Sequence, residues 1–342
     1  AIGWSQSDKE RMRMKRLGLA VVPQRGVTMD TYIETAQLAE RQGYESLWVG
    51  EANGFEAFSF LGGILSHTQR IKVAPGIASI FTRTPAFMTM SAASLHAIAP
   101  DRTLLGLGVS TRIIVGDWHG LEWNHPLERV TEYIQMLRQG LRGERLTHQG
   151  AYYQAKNFRL SVDAPGDVPL YLAAVNPKML RLAGAIADGI LLTWIPVSSV
   201  PKVVADIRAG AIEAGRDPEE VDIALYLRTC VTDDRDAAIG WLRRDITGYT
   251  VADVYSRVFR SFGFASEVDA MHDAWQRGDR EHAMQQISDR MVEALGVIGT
   301  EDDCQNHIQR FTAAGIDLPI IMPFAPDVTP ASYRRTTAAF RT

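Results

Sequence analysis

The sequence predicts an α/β fold, a (β/α)8 barrel, on three observations. Short apolar runs alternate with amphipathic segments from residue 17 onward, in an even strand–helix cadence that yields eight strands. Residues 169–194, PLYLAAVNPKMLRLAGAIADGILLTW, hold one complete βαβ unit, with an apolar, non-alternating run on either side of a helical repeat. No GxGxxG follows the first strand, which counts against a doubly wound sheet, the competing reading.

The elements follow in order. Residues 17–22 read as the first strand, closed by Pro23, and 29–42 as an amphipathic helix with Tyr32, Ala36 and Ala39 near one face and Gly43 as its stop. Residues 46–49 form the second strand, 55–67 the second helix, 71–80 the third strand, and 85–98 a third helix rich in Ala, Ser and Met. The fourth strand covers 103–109, and after a loop carrying Trp118, His119 and Trp123 the fourth helix covers 127–141. Residues 142–168 are Gly-rich and polar, an insertion with a short β-excursion around Ala151, Tyr152 and Tyr153. Strands at 170–174 and 190–192 then flank the helix that opens at Asn176-Pro177. A helix at 200–214 and a seventh strand at 221–231 lead into a charged helical excursion over 234–297. A helix at 302–314, an eighth strand at 318–322 and a helix at 329–340 complete the chain. The organisation expected is one barrel domain over 17–342, preceded by a mobile basic arm at 1–16.

Composition sets the class. At 46% hydrophobic and 22% charged residues the chain is an ordinary globular sequence, and a net charge of -4 gives no reason to expect nucleic acid or an anionic membrane as partner. With no apolar run of transmembrane length, no signal-peptide core at its start and two isolated cysteines, Cys230 and Cys304, a cytoplasmic setting without disulfides is expected.

In such a barrel the active site lies at the carboxyl ends of the strands. Asn176 is a good helix N-cap and Pro177 tolerates the first helical position, so this helix begins just past a strand end. Its free N–H groups and dipole suit a cofactor phosphate, the alternative being an ordinary βα turn. Gly76, Gly106 and Gly108 let a backbone bulge or approach a ligand closely. The pocket so described is apolar, glycine-lined and flanked by aromatic residues, which suits a planar phosphate-bearing cofactor that supplies the chemistry. Glu51 is the clearest ionisable group at a strand end. It is either a proton donor or the ion-pair partner of an arginine such as Arg83 or Arg112. His119 and His125 read as solvated or lid residues, and Trp118, Trp123 and Trp194 either wall a flat ligand or pack. Residues 234–297 either cap the pocket or form a surface pair. No metal-ligand spacing and no GxSxG elbow are present, so neither a metal site nor a hydrolase is expected. Lys178 is explained by the helix start, which leaves no lysine for aldolase chemistry.

Taken together, LGLAVVP, QLAERQGYESLWVGEAN, IKVAPGIASIFTRTPA, RTLLGLGVS, GLEW, PLYLAAVNPKMLRLAGAIADGILL, VDIALYLRTCVTDD and MVEALGVIGTEDD resemble the luciferase-like monooxygenase superfamily. Within it they are most similar to the branch using the deazaflavin coenzyme F420, typified by methylenetetrahydromethanopterin reductase. The resemblance implies an F420-dependent oxidoreductase that passes a hydride between the deazaflavin C5 and a small organic substrate. A monooxygenase using FMN and oxygen is the alternative, and a non-catalytic deazaflavin carrier a third reading. It further implies that Gly76-Ile77 is a non-prolyl cis peptide against the ring and that Val175, Asn176, Pro177 and Lys178 hold the phosphate-bearing tail. Val109 and Ser110 line the neighbouring loop. The full implied cofactor set is Asn53, Gly76, Ile77, Ala78, Gly108, Val109, Ser110, Ala174, Val175, Asn176, Pro177 and Lys178, with Glu51 as the catalytic acid. Homodimers packed through the helices after the second and third strands are also implied. Two departures stand out: Glu51-Ala52 replaces an Asp-His common among relatives, and Ala20 replaces a glutamate of the reductase. Both argue against methylenetetrahydromethanopterin and glucose 6-phosphate as substrates.

Overall fold

The computed structural model describes residues 16–327 and 329–342, so the expected arm lies outside the described residues apart from Arg16. The strands are β1 (Gly18–Val21), β2 (Ser46–Val49), β3 (Lys72–Pro75), β4 (Ala78–Ser79), β5 (Leu105–Gly108), β6 (Leu146–Gln149), β7 (Gln154–Phe158), β8 (Leu170–Ala173), β9 (Gly189–Thr193), β10 (Asp222–Val231), β11 (Gly296–Gly299) and β12 (Leu318–Pro323). They alternate with α1 (Met29–Gln42), α2 (Ala57–Ser66), α3 (Pro85–Ile98), α4 (Pro126–Leu141), α5 (Pro177–Ile186) and α6 (Val200–Glu213). After β10 come α7 (Arg235–Thr250), α8 (Asp253–Ser261), α9 (Ala265–Gln276), α10 (Arg280–Gln285) and α11 (Asp289–Leu295), then α12 (Glu301–Ala314) and α13 (Pro330–Ala338).

The main sheet runs β3-β2-β1-β12-β10-β9-β8-β5-β4, and every pairing in it is parallel. β3 and β4 are the two halves of one barrel strand, and a bridge from Val73 to Thr103 brings the sheet round into a nearly closed (β/α)8 barrel. The expected uninterrupted third strand is therefore corrected: it breaks at Gly76-Ile77, a cis peptide. Inward residues such as Ala20, Trp48, Ala74, Tyr171, Tyr226 and Ile320 fill the barrel. Their neighbours along each strand, among them Leu19, Leu47, Val73, Leu107, Leu192 and Ile321, pack outward against the helices. At the amino-terminal end of the barrel Arg16 clamps Glu45 and Asp222, with both ion pairs at 2.8 Å.

Local chemistry explains the helix ends. Thr28 caps α1, whose stop Gly43 has φ 90°. α2 starts two residues later than expected because the Glu56 side chain accepts from the N–H groups of Phe58 and Ser59 at 3.1 and 2.8 Å. The expected β-excursion around residues 151–153 is the β6–β7 hairpin, with these residues in its turn and the Glu132 carboxylate accepting from the N–H groups of Tyr152 and Tyr153 there. Two further expectations are corrected. The loop after β5 contains a π-helical turn, Ile113–Trp118. The 234–297 excursion ends in β11, which extends the sheet by pairing Arg228–Val231 of β10. Its helices have their own core, including Leu242, Ile246, Phe259, Val268 and Met271, joined to Trp194 and Phe324 from the barrel's strand ends. Among the described residues no helix is long and apolar enough to cross a membrane.

Candidate active site

The floor of the barrel mouth is set by three glycines. Gly76 donates its N–H to the Val49 carbonyl at 2.6 Å, and its own carbonyl accepts the Tyr226 hydroxyl at 3.2 Å. A Cβ on Gly76 would lie 1.7 Å from Tyr226 Oη, one on Gly106 would lie 2.2 Å from the Pro75 carbonyl oxygen, and one on Gly108 2.9 Å from Ile77 Cδ1. Gly76 and Gly106 are thus required by a close approach, whereas at Gly108 the neighbour is the movable end of the Ile77 side chain. Gly76 and Ile77 remain partly exposed at the mouth, whereas Ala78 turns outward into the helix-side core. Burial holds the Tyr226 phenol well above its ordinary pKa, so it stays a hydrogen-bond donor.

One strand along, Val109 and Ser110 are partly exposed, and Ser110 has φ 54°. The Val109 carbonyl accepts from Trp123 Nε1 at 2.9 Å, and Trp123 stacks on Phe81 with ring centroids 6.4 Å apart. Arg129 lies over Phe81 and Tyr152 at 5.3 and 4.9 Å. Trp123 is therefore a wall of this loop, while Trp118 and His119 are exposed and His125 packs beside Tyr152.

On the next strand, Ala174 is buried and Val175 half-buried, and Asn176, Pro177 and Lys178 are exposed. Asn176 Oδ1 accepts the Met179 N–H at 3.0 Å and its carbonyl accepts the Leu180 N–H at 2.9 Å, so α5 is capped as expected. Among the described residues no acceptor meets the N–H groups of Val175, Asn176 or Lys178. These groups, at a helix start open to solvent, fit a phosphate.

Glu51 stands across the mouth, and the arginine that meets it is Arg83. Arg83 Nη1 donates to Oε2 at 2.5 Å and Nη2 to Oε1 at 2.7 Å, while the Ala57 N–H donates to Oε1 at 2.9 Å. Arg83 also binds Glu56 at 2.5 Å and lies over Phe58 at 5.1 Å. Asn53 is exposed in the adjoining loop.

The sequence reading passed over Arg228. It follows Ala224 and Tyr226 in the inward alternation of β10, is 4% exposed, and lies 3.4 Å from the centre of the Trp194 ring. A lone cation in the apolar run IALYLRTCV, at an inward register position near a strand end, was the available signal. Asp245 and Tyr249 of α7 reach Arg228 and Trp194, and Trp241 stacks on Phe324 at 4.6 Å. The 234–297 excursion thus overlies the β9–β10–β12 side of the mouth.

Known proteins share this fold. The family model for luciferase-like monooxygenases matches residues 15–318. The 5,10-methylenetetrahydromethanopterin reductase of Methanolobus tindarius is 34% identical over 286 residues, covering 82% of this chain and 86% of the relative. The coenzyme F420-dependent tetrahydromethanopterin reductase of Methanopyrus kandleri superposes with a TM-score of 0.81 at 23% identity, over 95% of this chain and 96% of that one. An F420-dependent secondary alcohol dehydrogenase, solved with an F420–acetone adduct, superposes with a TM-score of 0.75 at 19% identity, over 96% and 99% of the two chains. With a family match spanning most of its length and a reductase relative at this identity, the chain belongs to the luciferase-like monooxygenase family.

Proposed function

We propose that this protein is an F420-dependent oxidoreductase exchanging a hydride between the deazaflavin C5 and a small organic substrate. The observation that carries the reading is the pairing, at one barrel mouth, of the Gly76-Ile77 platform with the open, Asn176-capped start of α5. A flat ring is accommodated where Tyr226 and Gly108 leave only backbone and the Ile77 side chain, and a phosphate where N–H groups lack acceptors. The likeness to proteins named for F420 supports the deazaflavin over FMN.

When bound, the deazaflavin supplies the hydride chemistry. The chain's own residues do the rest in this reading. Ile77, Gly76, Gly108, Val109 and Ser110 seat the ring, and Val175, Asn176 and Lys178 hold the phosphate. Glu51 handles the proton exchanged with substrate or cofactor, and Arg83 orients its carboxylate through two hydrogen bonds. Small residues at Ala20 and Ala52 leave no side chain there to read a large polar substrate.

The reading includes a cytoplasmic homodimer. Phe87, Met90 and Ile98 project from α3 at 53%, 49% and 48% exposure, an apolar face suited to a second copy. A sedimentation experiment in which Phe87→Glu left the assembly state unchanged would contradict that interface. The activity itself is tested anaerobically, with F420 and a panel of carbonyl compounds and alcohols. Hydride exchange without oxygen uptake is expected, and oxygen consumption with FMN in place of F420 would contradict it.

A further inference from the structure

Arg228 and Trp194 form a stacked pair with donors left over. Arg228 Nε donates to Asp245 Oδ2 at 3.0 Å and Nη1 to Thr193 Oγ1 at 2.9 Å, while Nη2 has no acceptor among the described residues. Trp194, 1% exposed, has a buried Nε1 with no hydrogen-bond partner. Buried donors are nearly always paired, so the unmet indole N–H points to an acceptor that arrives from outside the chain, and Arg228 Nη2, stacked on the same ring and not closed off from solvent, can share it.

Their place in the fold says what arrives. Tyr226 pairs in register with Thr193, and Arg228 stands one inward position beyond Tyr226, towards the mouth. The Tyr226 hydroxyl rests on the Gly76 carbonyl, so the guanidinium lies one layer above the platform assigned to the ring. Thr193, Asp245, Tyr249 and Met322 around it are each partly exposed, so this side of the mouth is open to a small molecule.

Charge narrows the class. Asp245 already balances Arg228. A carboxylate bound here would leave net negative charge in a partly desolvated site, whereas a neutral oxygen accepts from both donors without that penalty. We propose that Arg228 Nη2 and Trp194 Nε1 receive the reacting oxygen of a neutral carbonyl substrate, an aldehyde or ketone, or of the corresponding alcohol. This rests on the hydride-transfer reading above. Hydride addition forms a C–H bond at the carbonyl carbon and moves the π pair onto that oxygen, while the reduced deazaflavin is oxidised by two electrons. The Arg228 guanidinium meets the developing charge, and one proton completes the alcohol.

The test is binding rather than turnover. Protein saturated with oxidised F420, which cannot reduce a ketone, is titrated calorimetrically with cyclohexanone and with cyclohexanecarboxylate. Wild type is expected to bind the ketone at least tenfold more tightly than the carboxylate. Arg228→Met should weaken the ketone tenfold or more while F420 affinity stays within twofold. Asp245→Asn, which frees the guanidinium charge and tests the idea without removing Arg228, should reverse the preference toward the carboxylate. Unchanged ketone affinity in Arg228→Met, a wild-type preference for the carboxylate, no binding of either probe, or an unreversed preference in Asp245→Asn would each overturn the assignment. Failure of wild type to bind F420 at all would instead overturn the reading on which it rests.

Discussion

The Tyr226 hydroxyl reaches across the barrel from the seventh strand and donates to the Gly76 carbonyl on the third, at 3.2 Å. This one contact joins two opposite walls directly beneath the mouth. It occupies the space where any other residue at 76 would place its Cβ, so glycine there is a packing requirement before it is a functional one.

Replacing Gly76 with alanine should therefore lower stability by about 1–3 kcal/mol through overpacking. Tyr226→Phe in the same chain removes the nearest clashing atom, at 1.7 Å, and should restore part of the loss. A double-mutant cycle by denaturant unfolding measures the coupling, and strict additivity would show that the two residues do not meet.

Glu51→Gln keeps an acceptor for the Ala57 N–H but removes the charge facing Arg83. Turnover should fall by a factor of about 100 or more if Glu51 handles the proton. Breaking one side of a buried ion pair costs about 3–5 kcal/mol. Here Glu56 still holds Arg83, so a loss at or below the lower end is expected. Steady-state rates with unchanged F420 affinity separate this role from cofactor binding, and full turnover would remove Glu51 from it.

At α5, Asn176→Asp retains a capping oxygen for the Met179 N–H, so the melting temperature should hold. The added carboxylate stands where a phosphate would bind, and F420 affinity should drop about tenfold or more by like-charge repulsion. Asn176→Ala reverses the pattern, losing about 1 kcal/mol of stability with the cap. Equal F420 affinity in wild type and Asn176→Asp would place the phosphate elsewhere.

Stability should also depend on pH through the β6–β7 hairpin. Burial alone would raise the Glu132 carboxyl, but the N–H groups of Tyr153 and Tyr152 together with His148 hold it below its ordinary value of 4.5. A depressed folded value means that this contribution is complete above pH 4.5 and is lost as pH falls through the lower folded value. Thermal melts on either side of that window should show the loss in wild type and a flatter profile in Glu132→Gln.

Much of this was legible in the residues. Met29–Gln42, Ser46–Val49 and Pro85–Ile98 have the bounds that cap, periodicity and stop residues indicate. The Asn176 cap follows from its place before Pro177. The break in the third strand was marked by Gly76 alone, because Ile71 to Ile80 is apolar on both sides of it and hydrophobicity carried no sign of a break. β11 was hidden because Gly296–Gly299 is too short to show a period after a long helical stretch. Glu51 was seen as either a proton donor or an ion-pair partner, but only the fold brings Arg83, 32 positions away in the chain, onto its oxygens. Arg228 escaped notice because its partners Thr193, Trp194 and Asp245 come from another strand end and from the excursion.

The measurement that tests the central claim most directly is equilibrium binding of F420 and of FMN to the purified protein, side by side, by fluorescence titration. Micromolar or tighter binding of F420 with much weaker binding of FMN is the predicted result. A preference for FMN, or binding of neither, would contradict the assignment of this barrel mouth to a deazaflavin.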